Sequence, residues 1–181
     1  MPITEELLQT GIADQWGSPQ VANAGKVDHY GVILNGALEF GTSVTLKFNF
    51  TASHNEIKEF LQYSDTISVV GKVPIGFPSI IAGASLLLKP APGLIFTLTE
   101  KYIGAMYGDL VNSDQFRNDP YGVLDATLSY RQKNILGLQY AELRIEVNNV
   151  LNKFYTSYVE SGTGFFVAAP RHGFATIQLG L

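Results

Sequence analysis

The chain has no cysteine among its 181 residues. That excludes disulfide frameworks, thiolate metal sites and cysteine nucleophiles together. Charge is also scarce: 15% of residues are Asp, Glu, Lys or Arg, against roughly 25% in soluble domains. The net charge of −4 and the lack of any Lys/Arg stripe argue against nucleic acid as a partner. Although 46% of the residues are hydrophobic, no run of about 18 of them exists to span a bilayer as a helix. The opening MPITEELLQTGIADQW has no basic segment followed by an apolar core, so it does not read as a secretory signal.

What is present is alternation. Val44, Leu46, Phe48, Phe50 and Ala52 share one parity, and Thr45, Lys47, Asn49, Thr51 and Ser53 the other. A period of two over this length predicts a strand with one apolar face. The same pattern predicts strands over 25–40, 43–53, 121–131, 140–148 and 172–181, the last with Gly173, Ala175, Ile177, Leu179 and Leu181 on one face. The segments 79–89 and 94–107 read as strands from their apolar content. Residues 1–24 show no sustained period and read as an irregular segment, with a turn or two of helix at Ile3 to Leu8. A second short helix is expected at Glu56 to Tyr63.

Short turns fall at Gly41-Thr42, at Pro90-Ala91-Pro92-Gly93 and between Gln132 and Gly137. Long polar, aromatic loops fall at 54–78, 108–120 and 149–171. Short and long alternate strictly, so every short turn lies at one end of an up-and-down sheet and every long loop at the other. Bacterial membrane barrels have this asymmetry. Aromatics near strand ends (Tyr30, Phe40, Phe96, Tyr102, Tyr107 and Tyr130) suit the two interfacial girdles of such a barrel. The fold class expected is therefore all-β, an antiparallel up-and-down transmembrane β-barrel segment of about seven strands. A small self-contained β-barrel, soluble or membrane-bound, with an apolar ligand inside and an eighth strand from residues 1–24, remains the alternative. The side of the sheet that meets lipid separates the two.

Candidate chemistry is thin. His29, His54 and His172 are scattered, with no pair at helical metal-ligand spacing. Ser161, in Ser-Gly-Thr-Gly, lacks the strand-to-helix turn that seats a catalytic serine. Asn49-Phe50-Thr51 matches a glycosylation acceptor by chance, in mid-strand. No enzyme, metal site or cofactor is expected. Asp125, Arg131, Glu142, Arg144 and Glu146 read as a cross-strand charge ladder facing a wet lumen. Among the loop aromatics, Tyr63, Phe116, Tyr158, Phe165 and Phe166 are candidate ligand contacts, with Phe60, Phe154 and Tyr155 nearby.

Several motifs in order carry a family likeness. Asn149-Val-Leu-Asn152-Lys-Phe-Tyr155, followed by Ala168-Ala-Pro170-Arg171 and a terminal alternating strand, resembles the C-terminal end of TonB-dependent outer-membrane receptors. Asn23-Ala-Gly-Lys26 through Tyr30-Gly31-Val32, Val73-Pro-Ile-Gly-Phe-Pro78, and Val123-Leu-Asp125 through Ser129-Tyr130 resemble that family's strand openers. Ile33 stands where the family usually has Glu, and Leu181 where it has a terminal aromatic. The resemblance implies Asn149, Asn152, Tyr155, Pro170 and Arg171 as structural motif residues. It also implies the C-terminal third of a barrel of about 22 strands, with residues 1–24 an extracellular loop and 25–181 the closing strands. Uptake of a scarce solute (siderophore-iron, cobalamin or a glycan) across the bacterial outer membrane would be the parent activity. The implied partners are outer-membrane lipid, the barrel-assembly machinery, a plug domain and the remaining strands, with TonB reached through the plug.

Overall fold

The computed structural model describes residues 2–4, 7–23, 26–60, 68–160 and 164–181. Seven long strands dominate it: β1 (Lys26–Phe40), β2 (Val44–Glu59), β3 (Ile80–Ala91), β4 (Leu94–Ile103), β5 (Tyr121–Ile135), β6 (Leu138–Asn148) and β7 (His172–Gly180). Each pairs antiparallel with its sequence neighbour, and the three residues Pro2–Thr4 add to the outer side of β1. This is the expected meander, an antiparallel segment of a transmembrane β-barrel.

Register explains why one face is apolar from edge to edge. Leu38 pairs with Leu46, Leu46 with Leu86, Leu86 with Leu98, Leu98 with Ala126, Ala126 with Val147 and Val147 with Gly173. The next row reads Phe40, Val44, Leu88, Phe96, Leu128, Ile145 and Ala175. The opposite face carries Thr45, Lys47, Asn49, Thr97, Thr99, Asp125, Thr127, Arg131, Glu142 and Arg144. The apolar residues line no sealed interior: Phe48, Leu128 and Ile145 are each about two-fifths exposed (40%, 41% and 43%). Among the described residues, β7 does not pair with β1 or with Pro2–Thr4, so no small closed barrel forms.

The apolar band also slides across the sheet. On β1 it runs from Val32 to Phe40, and its midpoint, Gly36, lies two residues from Leu38 towards the long loops. Along β7 and the residue that follows it, the band runs from Gly173 to Leu181, and its midpoint, Ile177, lies four residues from Gly173 towards the short turns. That is a shift of about one residue per strand, or ~3.3 Å along for every ~4.8 Å across, which is a tilt of about 35°. Nine residues of β1 span about 26 Å, hence a height of about 22 Å at that tilt, close to the apolar band of a membrane barrel.

Several boundaries differ from expectation. The described part of 1–24 is not irregular throughout, since Leu7–Ala13 and Pro19–Asn23 form a hairpin. Of the short helix expected at Ile3 to Leu8, the described residues are strand, in Pro2–Thr4 and Leu7–Ala13, and residues 5–6 lie outside the described ones. The helix expected at Glu56 to Tyr63 is also absent where described, because β2 continues to Glu59; residues 61–63 lie outside the described residues. Above the membrane band the two faces exchange character. Ile57 and Val27, on the otherwise polar parity, are fully buried, while His54, Glu56 and Lys58 take the outward one. The strand expected over 94–107 stops at Ile103, and Met106–Tyr107 pairs separately with Arg117–Asn118. Tyr107 therefore belongs to a loop and to no girdle. The loop over 149–171 holds its own hairpin, Thr156–Glu160 with Gly164–Val167.

The short turns show their chemistry directly. Ala91 pairs with Leu94 around Pro92 and Gly93, the latter at φ +77°, which is the residue order of a type II turn. Ile135 pairs with Leu138 around Leu136 (φ +51°) and Gly137 (φ +82°), the two positive values of a type I′ turn. Leucine at such a position costs about 1–2 kcal/mol, and Leu136 is 95% exposed, so packing returns nothing. Leu136→Asn is expected to stabilise the β5–β6 hairpin by about 1 kcal/mol, read as a higher urea midpoint of the chain refolded in detergent. No change or a fall would contradict the turn assignment.

Candidate functional site

At the long-loop end the loops gather over the polar face and make a hydrophobic core of their own. Val27 and Ile57, from β1 and β2, are buried with Val69 and Leu110, and Phe60, Ile75 and Val111 pack against them. Backbone pairing holds the first loop there: Ile57 N–H donates to Lys72 O (2.9 Å) and Gly71 N–H to Ile57 O (2.8 Å). The second loop is tied to the first through Asn112. Its Oδ1 accepts from Val73 N (2.7 Å) and its Nδ2 donates to Val73 O (2.9 Å). A side-chain amide thus does what a neighbouring strand's peptide would do. Asp109, itself buried, accepts from the Ser113 amide and hydroxyl and fixes that turn. Asn118 Nδ2 donates to Thr156 O (2.9 Å), which joins the third loop to the second.

The residues from the C-terminal motif lie between β6 and β7 and are tied to β5 through Asp125 and Tyr121. Asn149 is 2% exposed at φ +52°. Its backbone N–H donates to Asp125 Oδ1 (2.8 Å). Its side chain donates to Lys153 O (2.8 Å) and Ala169 O (3.3 Å) and accepts from Lys153 N (2.8 Å). Asn152, also at positive φ, accepts from Arg171 N (3.0 Å), and Arg171 Nη1 reaches Val150 O (3.4 Å). Tyr155 stacks on Tyr121 with ring centroids 4.5 Å apart. Pro170 O accepts from His172 Nδ1 (2.8 Å). The whole is a clasp that carries the chain from the end of β6 to the start of β7.

The charge ladder is more local than expected. Arg131 Nε donates to Glu142 Oε2 (2.7 Å) and Arg144 Nη2 to Glu142 Oε1 (3.2 Å). Arg131 also lies over the Tyr140 ring at 4.5 Å, and Gln178 donates to the Tyr140 hydroxyl (2.9 Å). A Cβ at Gly180 would collide with that ring, so glycine there lets the tyrosine lie across β7. Asp125 serves the clasp instead of the ladder, and Glu146 stands opposite Thr127 and Phe174.

The loop aromatics are only partly assembled. Tyr158 and Phe166 face each other across the third loop's hairpin at 6.0 Å, and Phe165 is exposed beside them. Phe116 sits in a single 3-10 turn of the second loop. Tyr63 and Ser161 lie outside the described residues. The histidines lie apart: His29 bonds to Asn55 Oδ1 (2.8 Å) and stacks on Phe77, while His54 contacts Glu56 above the band. Hydrogen bonds from Lys58 first, and then from His54, hold the Glu56 carboxyl below its usual range. Among the described residues no three His, Asp or Glu side chains gather as metal ligands. Asn112, Asn118, Asn55 and Asp109 escaped the sequence reading. The available signal was an asparagine flanked by turn formers, where positive φ is tolerated.

An outward apolar band, a polar inner face, a tilt near 35° and loops massed at one end define a wall of a transmembrane β-barrel. A model of the TonB-dependent receptor-like β-barrel matches residues 4–150, and the chain belongs to that family. No curated protein matches it. In fold it is similar to the siderophore receptor PiuA from Acinetobacter baumannii (TM-score 0.72, 19% identity, 94% of this chain and 23% of that one). It is likewise similar to the ferric yersiniabactin uptake receptor FyuA from Yersinia pestis (TM-score 0.69, 22% identity, 95% and 26%). The copper transporter OprC aligns over 99% of this chain and 27% of its own, at a TM-score of 0.72 and 12% identity. The chain spans about a quarter of the length of these neighbours.

Asn149→Ala removes three side-chain hydrogen bonds from a buried residue and puts alanine at positive φ. The expected loss is about 2–4 kcal/mol, seen as a lower urea midpoint of the refolded chain, with Asn149→Gly intermediate because it relieves only the backbone strain. An alanine variant as stable as the parent would mean that the clasp does not hold.

Proposed function

We propose that the chain is a wall segment of an outer-membrane receptor for energised uptake of a scarce solute, siderophore-iron, cobalamin or a glycan. On this reading it acts by transport and binding, and catalyses no reaction. The observation that carries the proposal is the apolar band, slanted across seven strands, with charge on the other face apart from Glu100, which stands among the outward residues towards the long-loop end of β4. Lipid is the only surrounding that such a band suits over this height. The residues of 1–24 then belong to an extracellular loop, and 25–181 to the closing strands of the barrel.

Support for a larger ring comes from the edges. The apolar residues of β1 and β7 are more exposed than those of the strands between them: Leu34 is 56% and Ile177 73% exposed, against 41% for Leu128. A free strand edge in hydrocarbon leaves N–H and C=O groups unpaired at several kcal/mol each. The remaining barrel strands are the partners that fit these edges. A plug inside the ring would contact the Arg131–Glu142–Arg144 wall and, in turn, TonB. The barrel-assembly machinery would insert the strands. The solute would meet the loop end, where Phe116, Tyr158, Phe165 and Phe166 offer rings for stacking. Asn149, Asn152, Tyr155, Pro170 and Arg171 shape the clasp beneath.

The absence of cysteine permits a direct test. Single cysteines at Leu46 and Leu128, and at Thr45 and Thr127, are labelled with an environment-sensitive dye after insertion into phospholipid vesicles. The first pair is expected to be quenched by a bilayer-embedded quencher, and the second pair by a water-soluble one. Quenching of all four from water, in a chain that stays dispersed without lipid, would sink the receptor reading.

A further inference from the structure

The polar face of β2, β3 and β4 carries a compact group of donors that neither the charge triad nor the clasp uses. Lys47 pairs with Ser85 and Ser85 with Thr99; one row away, Asn49 pairs with Gly83 and Gly83 with Lys101. The two lysines therefore stand at opposite corners of a patch three strands wide. They are about 12 Å apart at their Cβ atoms, from two strand spacings and a two-residue offset. A lysine side chain is long enough for both ammonium groups to converge over the centre.

Gly83, at the centre, has no side chain to exclude its neighbours. The Asn49 amide fills that space instead: its Nδ2 lies 2.8 Å from where a Cβ of Gly83 would be. Ser85 and Thr99 share one hydrogen bond at 3.2 Å, and two hydroxyls that share one bond leave the second hydrogen free to donate. These residues, together with Phe48, Ala84 and Glu100 of the outward parity, line a depression of about 160 Å³.

No carboxylate answers the cations. Among the described residues neither Lys47 nor Lys101 has an acidic oxygen within 4.0 Å. Asp125, diagonal to Lys101, is turned to the Asn149 amide at 2.8 Å, and Glu39, diagonal to Lys47, bridges to neither. On the same face Arg131 and Arg144 are matched by Glu142, whereas Lys89 and Lys133, near the short turns, have no such partner among the described residues. The patch lies halfway up the wall, behind Phe48 and Ala84 of the outward band, and well below the loop core.

We propose that Lys47, Lys101, Asn49, Ser85 and Thr99 form a binding site for an oxyanion on the inner face of the wall. Its chemistry fits a doubly charged group, since one negative charge satisfies one ammonium and leaves the other unmatched. A phosphate of a passing solute and a pair of carboxylates on a polypeptide inside the ring share that chemistry. The proposal needs only the face geometry of three paired strands. It is therefore separable from the transport reading, whose test reports lipid contact and not anion binding.

The full chain is refolded in detergent micelles with its lysines ¹³C-dimethylated, a change that keeps the charge. It is then titrated with inorganic phosphate and, separately, with the peptide acetyl-Asp-Gly-Asp-amide. The signals of Lys47 and Lys101 are expected to shift together and saturably, with the other lysines still. Lys47→Gln is expected to weaken binding about tenfold at Lys101, whereas Lys47→Arg retains it. Tighter binding of phosphate points to a free solute, and of the peptide to a polypeptide acid. No saturable shift with either probe, or a shift common to all lysines that follows ionic strength, overturns the site.

Discussion

Every peptide group that enters hydrocarbon must bring its hydrogen-bond partner with it, because the solvent offers none. That requirement orders the rest of this chain. Between β1 and β7 it is met by six antiparallel ladders whose register is unbroken through the apolar band. The irregularities lie only at the ends, between Lys26 and Val27 and between Leu88 and Ala91. Confinement of the bulges has a cause in the period of two. A slip of one residue turns a whole strand over, and here it would send Lys47 or Arg144 into lipid. Bulges are tolerable only where both faces of the strand meet water or loop.

Where the ladders stop, asparagine side chains take over. Asn112 meets Val73 with one acceptor and one donor, as a strand would, and Asn149 serves Lys153 and Ala169 in the same way. The primary amide is the side chain that carries both halves of a peptide's hydrogen-bonding capacity. It also tolerates the positive φ that reversals require. The loops can consequently be long without leaving polar groups stranded beneath them. Their apolar core, Val27, Ile57, Val69 and Leu110, is buried beyond the apolar band, whereas a soluble sandwich buries one face of its strands along their length.

This arrangement explains what could be read from residues alone. The strands across the band were legible because lipid on one side and water on the other impose a clean alternation, as at Val44 to Ala52. The outer part of β2 was not. Beyond Ala52 the outward face meets water and the inward face meets a loop, so the apolar parity passes from Phe50 to Ile57. Read as one pattern, that exchange looks like the end of a strand. β3 was blurred for a related reason, since Ile81 and Leu87 lie on the polar parity and fill both faces. The clasp residues were visible only through family likeness: a buried asparagine and an exposed one look alike until the partners 20 residues away are placed.

The same physics sets how the inner wall is used. Charge is costly on the lipid side, where each cation at mid-depth costs about 2–4 kcal/mol, and Glu100 is placed there only towards the long-loop end of β4. The polar parity therefore gathers the chain's transmembrane chemistry. There Arg131, Glu142 and Arg144 neutralise one another in part, whereas Lys47 and Lys101 do not. An unmatched cation beside water is tolerable, but within a filled lumen it is tolerable only opposite a negative charge. A wall that pairs some of its cations and leaves others open thus distinguishes the places where it holds itself together from those where it waits for something else.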